Sequence, residues 1–361
     1  MTEPEPSRQE QFTGTKDVAE THRFDETRLA QYMEAHVAGY GGPLEVRQFK
    51  GGQSNPTYQL ITPNKKYVLR RKPPGKLLKS AHAVDREYKV MTALHGAGFP
   101  APKTYCLCDD ESIVGTMFFI MDCVEGRIFW EGVLPSSSPQ ERTEIYDTMN
   151  ATIAALHNMD HEAIGLGDYG KPGNYFARQI SRWTKQYQQS ETSDIPEMNR
   201  LIDWLPNNIP GDDETSIVHG DYRLDNMILA PDENKVVAVL DWELSTLGHP
   251  LGDFTYHLMQ WRMPGPGTSG GTLVGSDLAA LGIPSEEEYI RSYCERTGRT
   301  SIENIDYYFS YNFFRLAGIL QGIVGRVRDG TATSAHAAAN ADAVVPLAQA
   351  AWGFAQKAGA T

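Results

Sequence analysis

Three oxygen-bearing side chains stand at defined intervals around a predicted turn, and this spacing constrains the fold more than any other feature. Asp221 belongs to a His-Gly-Asp sequence and precedes Asn226 by five positions, and Asp241 follows later in the chain. Between Asn226 and Asp241, two apolar runs flank the turn-forming sequence Pro-Asp-Glu-Asn at 231–234. Such a pattern predicts a two-stranded hairpin. The hairpin would bring Asp241 back towards Asn226.

These residue types and intervals suit magnesium-assisted phosphoryl transfer. A γ-phosphoryl group passes through a loose transition state, so a protein has mainly to position the acceptor hydroxyl and to neutralise phosphate charge. Asp221 would orient the hydroxyl and take its proton. Asn226 and Asp241 would be the metal ligands, since Mg²⁺ prefers hard oxygen donors and keeps several waters. A protein-kinase catalytic loop spaces its Asp and Asn by the same interval.

The less favoured interpretation is that His-Gly-Asp forms an ordinary turn and that Asp241 only caps a strand. His219 by itself is weaker evidence, because a lone histidine more often braces a loop by hydrogen bonds than transfers protons. We therefore expect His219 to support the loop that carries Asp221, and not to act on the substrate.

The catalytic-loop residues resemble the aminoglycoside phosphotransferase and choline kinase superfamily of small-molecule kinases, whose signature is His-Gly-Asp, four residues, Asn, then a later Asp. Residues 51–58, 67–75 and 81–88 resemble one branch of it. That branch occurs as the kinase-like part of some acyl-CoA dehydrogenase fusion proteins and includes bacterial kinases for hydroxyacyl-CoA thioesters. The resemblance runs from about Phe24 to near the C-terminus. It implies a kinase that uses ATP and Mg²⁺.

Composition favours a soluble enzyme. The 361 residues suffice for two lobes, and no uninterrupted apolar stretch reaches the ~20 residues that span a bilayer. The polar N-terminal sequence does not resemble a signal peptide. Four cysteines do not make a disulfide framework, and Cys106-Leu107-Cys108 lacks a second close pair for a zinc site. We therefore expect a cytoplasmic protein that does not associate with membranes.

The net charge of −13 argues against a nucleic-acid partner. An acidic chain would suit a polycationic substrate such as an aminoglycoside, but a solubilising surface is the simpler interpretation. The expected partner is a small-molecule substrate with a hydroxyl group. The sequence leaves the oligomeric state open.

The order of predicted elements divides the chain into three segments. Residues 1–23 are polar and rich in Pro, Glu and Thr, which predicts a disordered tail. Residues 24–122 are predicted to form a nucleotide-binding N-lobe, a five-stranded lobe that carries one helix. Residues 123–361 are predicted to form a C-lobe with the catalytic loop and the acceptor site. The predicted fold class is α+β: a bilobal protein-kinase-like fold with a small antiparallel-sheet N-lobe and a larger, mainly helical C-lobe.

A glycine-rich turn between two predicted strands is a candidate phosphate-binding loop. It contains Gly51, Gly52, Ser54 and Asn55, where backbone N–H groups and a hydroxyl could contact phosphate oxygens. Glycines between strands usually indicate only a turn. The sequence also departs from Gly-x-Gly-x-x-Gly, which leaves open which amides contact phosphate.

Two further groups complete the predicted nucleotide site. Arg70 stands on the third strand, where a protein kinase has Lys, and Arg can bind two phosphate oxygens at once. Glu87 on the following helix would hold Arg70 in place, although an idle surface ion pair is the alternative. The backbone of Asp122, Cys123 and Val124, after the last strand, is expected to contact the adenine edge by its position alone.

Two later features have both a functional and a structural interpretation. Asp253 resembles the superfamily aspartate that supports the catalytic loop, so we expect it to buttress that loop and not to bind metal. The Gly/Pro-rich segment 263–271 lies where kinases of this type place the acceptor site. A simple linker is at least as good an explanation of that segment.

The resemblance to the dehydrogenase-linked branch points to a hydroxyacyl-CoA as acceptor. A basic cluster could bind the phosphates of CoA, or could be only a solvated face; it comprises Arg70, Arg71, Lys72, Lys76 and Lys79. The second candidate acceptor is an aminoglycoside, choline or another cationic alcohol. A nucleotide-binding pseudokinase is the alternative of another class, and the presence of Asp221, Asn226 and Asp241 argues against it.

Overall fold

The computed structural model describes residues 13–50, 55–75, 82–211, 213–263, 272–329 and 337–361. The strands in these residues are β1 (Thr15–Lys16), β2 (Glu45–Phe49), β3 (Thr57–Ile61), β4 (Lys66–Arg71), β5 (Thr104–Cys108), β6 (Phe118–Asp122), β7 (Ser216–Val218), β8 (Met227–Leu229), β9 (Val236–Val239) and β10 (Thr246–Gly248). The helices are α1 (Glu26–His36), α2 (Val84–Gly96), α3 (Glu111–Val114), α4 (Pro139–His157), α5 (Tyr175–Ser190), α6 (Pro196–Trp204), α7 (Pro250–Leu258), α8 (Leu278–Leu281), α9 (Glu286–Thr297), α10 (Ile305–Arg328) and α11 (Ala337–Lys357). In the described part of the chain, no helix combines the length and apolar character needed to span a bilayer.

Two compact units make up the chain, and both are discontinuous in sequence. The first contains the residues up to Trp130 together with Glu162–Tyr169 and Asn226–Ser245, and the second contains the rest. This division differs from the single boundary expected after residue 122. The reason is a backbone bridge: the Arg127 amide donates to the Leu229 carbonyl (2.8 Å) and the Leu229 amide to the Arg127 carbonyl (2.9 Å). The bridge attaches the β8–β9 hairpin to the segment after β6.

An antiparallel sheet forms the scaffold of the first unit. In the described residues it has six strands in the order β1-β2-β3-β4-β6-β5, one more than the sequence predicts. The central strand β4 is buried from Tyr67 to Arg71, as expected for a strand covered on both faces. The helix α1 packs Leu29 and Met33 onto the core side of the sheet. The mixed sheet and helical composition confirms the predicted α+β class.

The prediction of a disordered tail is wrong for residues 13–23. Strand β1 pairs antiparallel with β2, and the His22 carbonyl accepts hydrogen bonds from the Tyr58 hydroxyl (3.0 Å) and from Nη2 of Arg71 (2.9 Å). The ordering comes from backbone pairing and from a buried arginine elsewhere in the chain. Neither is visible in the polar composition of the segment itself.

The helix α2 presents one apolar face that also carries an acidic residue. Val84, Val90, Met91 and Leu94 are buried at helical spacing. Glu87 falls on the same face, three positions from Val84, and is only 1% exposed. The pattern that buries the helix therefore also directs a carboxylate inwards, where it requires a cationic partner.

Helices dominate the second unit. Both predicted capping boxes are present: Ser138 with Glu141 begins α4, and Ser285 with Glu288 begins α9. The long helix α10 packs closely on α5 through glycines. A Cβ atom added at Gly325 would lie 2.7 Å from the Cβ of Ser190, so any larger residue would force the helices apart. Strand β7 pairs antiparallel with β10 and directly precedes the His-Gly-Asp sequence.

Candidate active site

The β8–β9 hairpin exists as the sequence predicts, and it places two candidate metal ligands at one end. Met227 pairs with Val239, and the Leu240 amide donates to the Asn226 carbonyl at 2.8 Å. Asn226 and Asp241 therefore lie next to the same final rung of the hairpin. Asp241 has a left-handed backbone (φ 66°, ψ 61°), a conformation that is unfavourable for a non-glycine residue and concentrates at functional sites.

The buried guanidinium of Arg70 joins two carboxylates of the first unit. Its Nε lies 2.8 Å from Oε2 of Glu87, and its Nη2 lies 2.7 Å from Oδ1 of Asp241. The first contact is an ion pair without an aligned hydrogen bond, whereas the second is an aligned hydrogen bond. Glu243 lies further from Nη2, at 3.6 Å. The structure thus brings the predicted Arg70–Glu87 pair together and adds Asp241 to it.

Burial and charge act in opposite directions on this cluster. Burial raises the pKa of Glu87 to about 7, and the charges of Asp241 and Glu243 add to the rise, while Arg70 opposes it. Burial would lower the pKa of Arg70, but the surrounding carboxylates outweigh burial and raise it. Arg70 therefore remains a cation, and its charge is what makes an inward-facing Glu87 tolerable.

The side chain of Asn55, a residue of the predicted phosphate-binding turn, supports Glu87. Its Nδ2 donates to Oε1 of Glu87 at 3.0 Å, its Oδ1 lies 2.9 Å from Nδ1 of His82, and the residue is fully buried. The contact of the turn's backbone amides with phosphate stays a prediction. The other predicted members of the phosphate-binding turn, Gly51, Gly52 and Ser54, lie outside the described residues.

The predicted adenine-contacting segment follows β6 as expected. The Asp122 amide donates to the Lys103 carbonyl at 2.8 Å, so this N–H group is already used within the sheet. The Asp122 side chain pairs with Lys65 at 2.7 Å and accepts from the Tyr105 hydroxyl at 2.5 Å. Cys123 and Val124 are half-buried and follow the strand without regular structure. Of the three residues, these two stay candidates for N–H contacts to a nucleobase.

In the second unit, Asp253 holds the backbone of the His-Gly-Asp loop. Its Oδ2 accepts from the His219 amide (2.7 Å) and its Oδ1 from the Gly220 amide (2.8 Å). Burial would raise the pKa of Asp253, but its hydrogen bond from His157 and the neighbouring donors outweigh burial and lower it. Nδ1 of His219 accepts from the Asp221 amide at 3.1 Å. Both side chains thus make the loop-supporting contacts that the sequence predicts for them.

The Asp221 carboxylate has two partners that the sequence analysis missed. The Tyr256 hydroxyl donates to Oδ1 at 2.7 Å, and Nε of Arg223 lies 3.1 Å from the same oxygen. Burial would raise the pKa of Asp221, but Arg223 and the Tyr256 hydrogen bond hold it below its ordinary value. Tyr256 stands three positions after Asp253 on α7, so the helical period already placed both residues on one face.

The described residues of the predicted basic cluster have separate partners. Arg71 is buried and binds the Tyr58 hydroxyl at 3.0 Å and the carbonyls of His22 and Val114, so it is a structural residue. Lys72 lies 3.7 Å from Asp85. Lys76, Lys79 and residues 264–271 of the Gly/Pro-rich segment fall outside the described residues.

Comparison with known proteins gives consistent results. Residues 45–289 match the model of the phosphotransferase enzyme family. Acyl-CoA dehydrogenase family member 10 of Mus musculus is 43% identical over 346 residues, which are 96% of this chain and 32% of the mouse protein. This chain therefore spans about a third of that relative. The sequence-based resemblance to acyl-CoA dehydrogenase fusion proteins is confirmed.

Two solved structures share the fold. A protein from Ralstonia eutropha JMP134, provisionally named an aminoglycoside phosphotransferase, is 54% identical with a TM-score of 0.85, over 93% of this chain and 99% of that one. Choline kinase from Cryptosporidium parvum Iowa II has a TM-score of 0.65 at 12% identity, over 92% and 97% of the two chains. The family match over residues 45–289 shows that the chain belongs to the phosphotransferase enzyme family.

Proposed function

We propose that this enzyme transfers the γ-phosphoryl group of ATP, with Mg²⁺, to the hydroxyl of a hydroxyacyl-CoA. The observation that supports phosphoryl transfer best is the placement of Arg70. Its buried, permanently charged guanidinium contacts Asp241 at 2.7 Å. Asp241 lies at the hairpin end that also carries Asn226. A cation and two candidate oxygen ligands for a metal ion therefore lie within one unit.

The residues present fit a magnesium ion. Asn226 offers an amide oxygen and Asp241 a carboxylate whose side chain is 33% exposed, and a magnesium site needs few protein ligands because the ion keeps waters and binds phosphate oxygens. When bound, Mg²⁺ neutralises charge on the phosphate oxygens. Arg70 adds a second positive charge for those oxygens, and Glu87 with Asn55 fixes its position.

Asp221 is proposed to act on the acceptor. Its depressed pKa keeps the carboxylate ionised at neutral pH, so it can accept a hydrogen bond from the substrate hydroxyl and orient it. The acceptor oxygen bonds to the γ-phosphorus as the bond to the departing ADP oxygen breaks, and the hydroxyl proton passes to Asp221.

Two arginines of the second unit lie beside Asp221. Arg223 lies 3.1 Å from Asp221 and pairs with Asp225 at 3.2 Å, and Nη2 of Arg315 donates to the Gly220 carbonyl at 2.6 Å. The carboxylate of Asp253 is engaged by backbone amides of the loop. A cationic acceptor such as an aminoglycoside or choline would approach Asp221 past these two arginines, which is unfavourable for it electrostatically.

Similarity to an acyl-CoA dehydrogenase family protein supports a thioester acceptor. Phosphorylation of a hydroxyacyl-CoA replaces hydroxide, a poor leaving group, with phosphate, a good one. A later elimination then becomes feasible. This chemistry gives a reason for joining such a phosphotransferase to a dehydrogenase that acts on acyl-CoA.

The test is an acceptor screen with the purified protein, ATP and Mg²⁺. The acceptors are 4-hydroxypentanoyl-CoA, kanamycin and choline, each assayed alone, with the product identified by phosphorus NMR. We expect a phosphate ester of the thioester and none in the Asp221→Asn variant. Transfer to kanamycin or choline but not to the thioester would replace this acceptor with a cationic alcohol. Nucleotide binding without transfer to any hydroxyl would indicate a binding module instead of a kinase.

A further inference from the structure

We propose that Tyr256 is a positioning residue that sets the orientation of the Asp221 carboxylate for phosphoryl transfer. This inference rests on the proposed role of Asp221. The phenolic hydroxyl donates to Oδ1 of Asp221 at 2.7 Å, and both residues belong to the second unit. Nothing in the His-Gly-Asp sequence itself supplies this contact.

Two groups contact the same carboxylate oxygen. The Tyr256 hydroxyl donates a hydrogen bond to Oδ1, and Nε of Arg223 forms an ion pair with it at 3.1 Å without an aligned hydrogen bond. Because Tyr256 stands on α7 and Arg223 on the catalytic loop, the two contacts together restrict rotation of the carboxylate about its side-chain torsion. They also disfavour protonation at Oδ1, which accepts a hydrogen bond and lies beside a cation.

Tyr256 is itself held firmly, as a positioning residue must be. It lies on α7, the helix that also carries Asp253, so one helix fixes the catalytic-loop backbone and the Asp221 side chain together. The Arg315 guanidinium lies 4.8 Å from the Tyr256 ring centroid. Asn312 on α10 fastens α7 further, because its Nδ2 donates to the Gly252 carbonyl (3.0 Å) and to Oγ1 of Thr255 (2.9 Å).

The hydroxyl of Tyr256 is a permanent donor and not an acid–base group. Burial raises its pKa, and the nearby charge of Asp221 raises it further. The phenol therefore keeps its proton at neutral pH. Its contribution is to hold Asp221 in place, so its removal should affect the chemical step more than nucleotide binding.

The main test is Tyr256→Phe, which removes the hydroxyl and keeps the ring beside Arg315. With MgATP and 4-hydroxypentanoyl-CoA, we expect kcat to fall about 10- to 100-fold while KM for MgATP changes less than about 2-fold. The matched control is Tyr187→Phe. Tyr187 is a buried tyrosine at 1% exposure on a different helix, α5, and its hydroxyl has no hydrogen-bond partner among the described residues. This control should keep full activity.

A double-mutant cycle separates positioning from a general structural role. If Tyr256 acts through Asp221, adding Tyr256→Phe to the Asp221→Asn variant should change kcat by less than about 2-fold. Independent losses that multiply in the double variant would overturn the inference. An unchanged kcat in the single variant would overturn it as well.

A second measurement needs no acceptor and so distinguishes this inference from the proposed function. Carboxyl ¹³C NMR titration of Asp221 should show a higher pKa in Tyr256→Phe and no change in Tyr187→Phe. Arg223, Arg315 and His219, the other groups that act on Asp221, are retained in both variants. If wild-type protein phosphorylates none of the acceptors but this shift appears, only the function is wrong. If the wild type is active and the shift is absent, only the role of Tyr256 is wrong.

Discussion

Nη2 of Arg70 lies 2.7 Å from Oδ1 of Asp241, and this contact joins the central strand of the sheet to the end of the hairpin. The other partner of Arg70, Glu87, is almost fully buried, whereas the Asp241 side chain is 33% exposed. Asp241 is therefore the partner for which a magnesium ion would compete, while Glu87 keeps the guanidinium in position.

The first prediction concerns the charge of Arg70. Arg70→Ala leaves Glu87 buried without its cation and should lower the free energy of unfolding by about 3 kcal/mol, measured by urea titration. Arg70→Ala should also weaken ATP binding about 10-fold or more. Arg70→Lys should recover part of both losses, because the lysine ammonium restores the charge but not the two-pronged geometry of the guanidinium. Arg47→Ala is the control: Arg47 pairs on the surface with Asp17, and its loss should cost under about 1 kcal/mol. Equal effects at both positions would refute the role of Arg70.

The second prediction concerns metal binding at Asp241. Asp241→Ala should abolish turnover and remove most of the difference between nucleotide affinities measured with Mg²⁺ and with EDTA, because the carboxylate ligand is gone. Calorimetric titration measures both affinities. Asp168→Ala, at an exposed aspartate paired with Lys89, should retain the magnesium effect. A normal magnesium effect in Asp241→Ala would exclude Asp241 as a ligand.

The third prediction concerns the proton acceptor. Asp221→Asn keeps the shape of the side chain but removes its basicity, so kcat should fall by roughly 10²–10⁴ with little change in ATP affinity. Steady-state kinetics and nucleotide titration together provide the check. Because the pKa of Asp221 lies below its ordinary value, loss of wild-type activity through its protonation should begin only below about pH 4. A kcat within about 2-fold of wild type would rule out this assignment.

The fourth prediction concerns stability at acid pH. Burial lowers the pKa of His257 to about 4, below the unfolded value of about 6.5. Between these values the unfolded chain binds more protons than the folded one, so stability is lost as pH falls from 6.5 towards 4. The His257→Gln variant lacks the titrating imidazole and therefore this loss of stability. On going from pH 7 to pH 5, wild type should lose about 2 kcal/mol more than the variant in urea unfolding. Parallel losses would contradict the neutral, buried state of His257.

Local pattern was sufficient to predict the parts of the site that depend on sequence spacing. The hairpin followed from two apolar runs and a turn sequence, and its closure places Asn226 and Asp241 together without help from the rest of the chain. Arg70 and Glu87 were predicted for a different reason, which is their correspondence to the Lys–Glu ion pair of protein kinases.

The sequence did not reveal contacts with residues far away along the chain. The Asn55 side chain contacts Glu87, and Arg71 contacts the backbone of distant residues, including His22. Propensity and spacing do not report such partners. Tyr256 is an intermediate case, because its position one helical turn after Asp253 was readable, but its contact with Asp221 depends on how α7 packs against the loop.

The close approach of α5 and α10 influences the position of the catalytic loop from a distance. Arg315 and Asn312, which reach the Gly220 carbonyl and α7, stand on α10, and the depth at which α10 sits is limited by the absence of a side chain at Gly325. A single methyl group at Gly325 would displace α10, the helix that carries both residues. Interhelical spacing in this enzyme is therefore a variable of its chemistry as well as of its stability, and substitutions at the α5–α10 contact should change turnover without touching any reacting group.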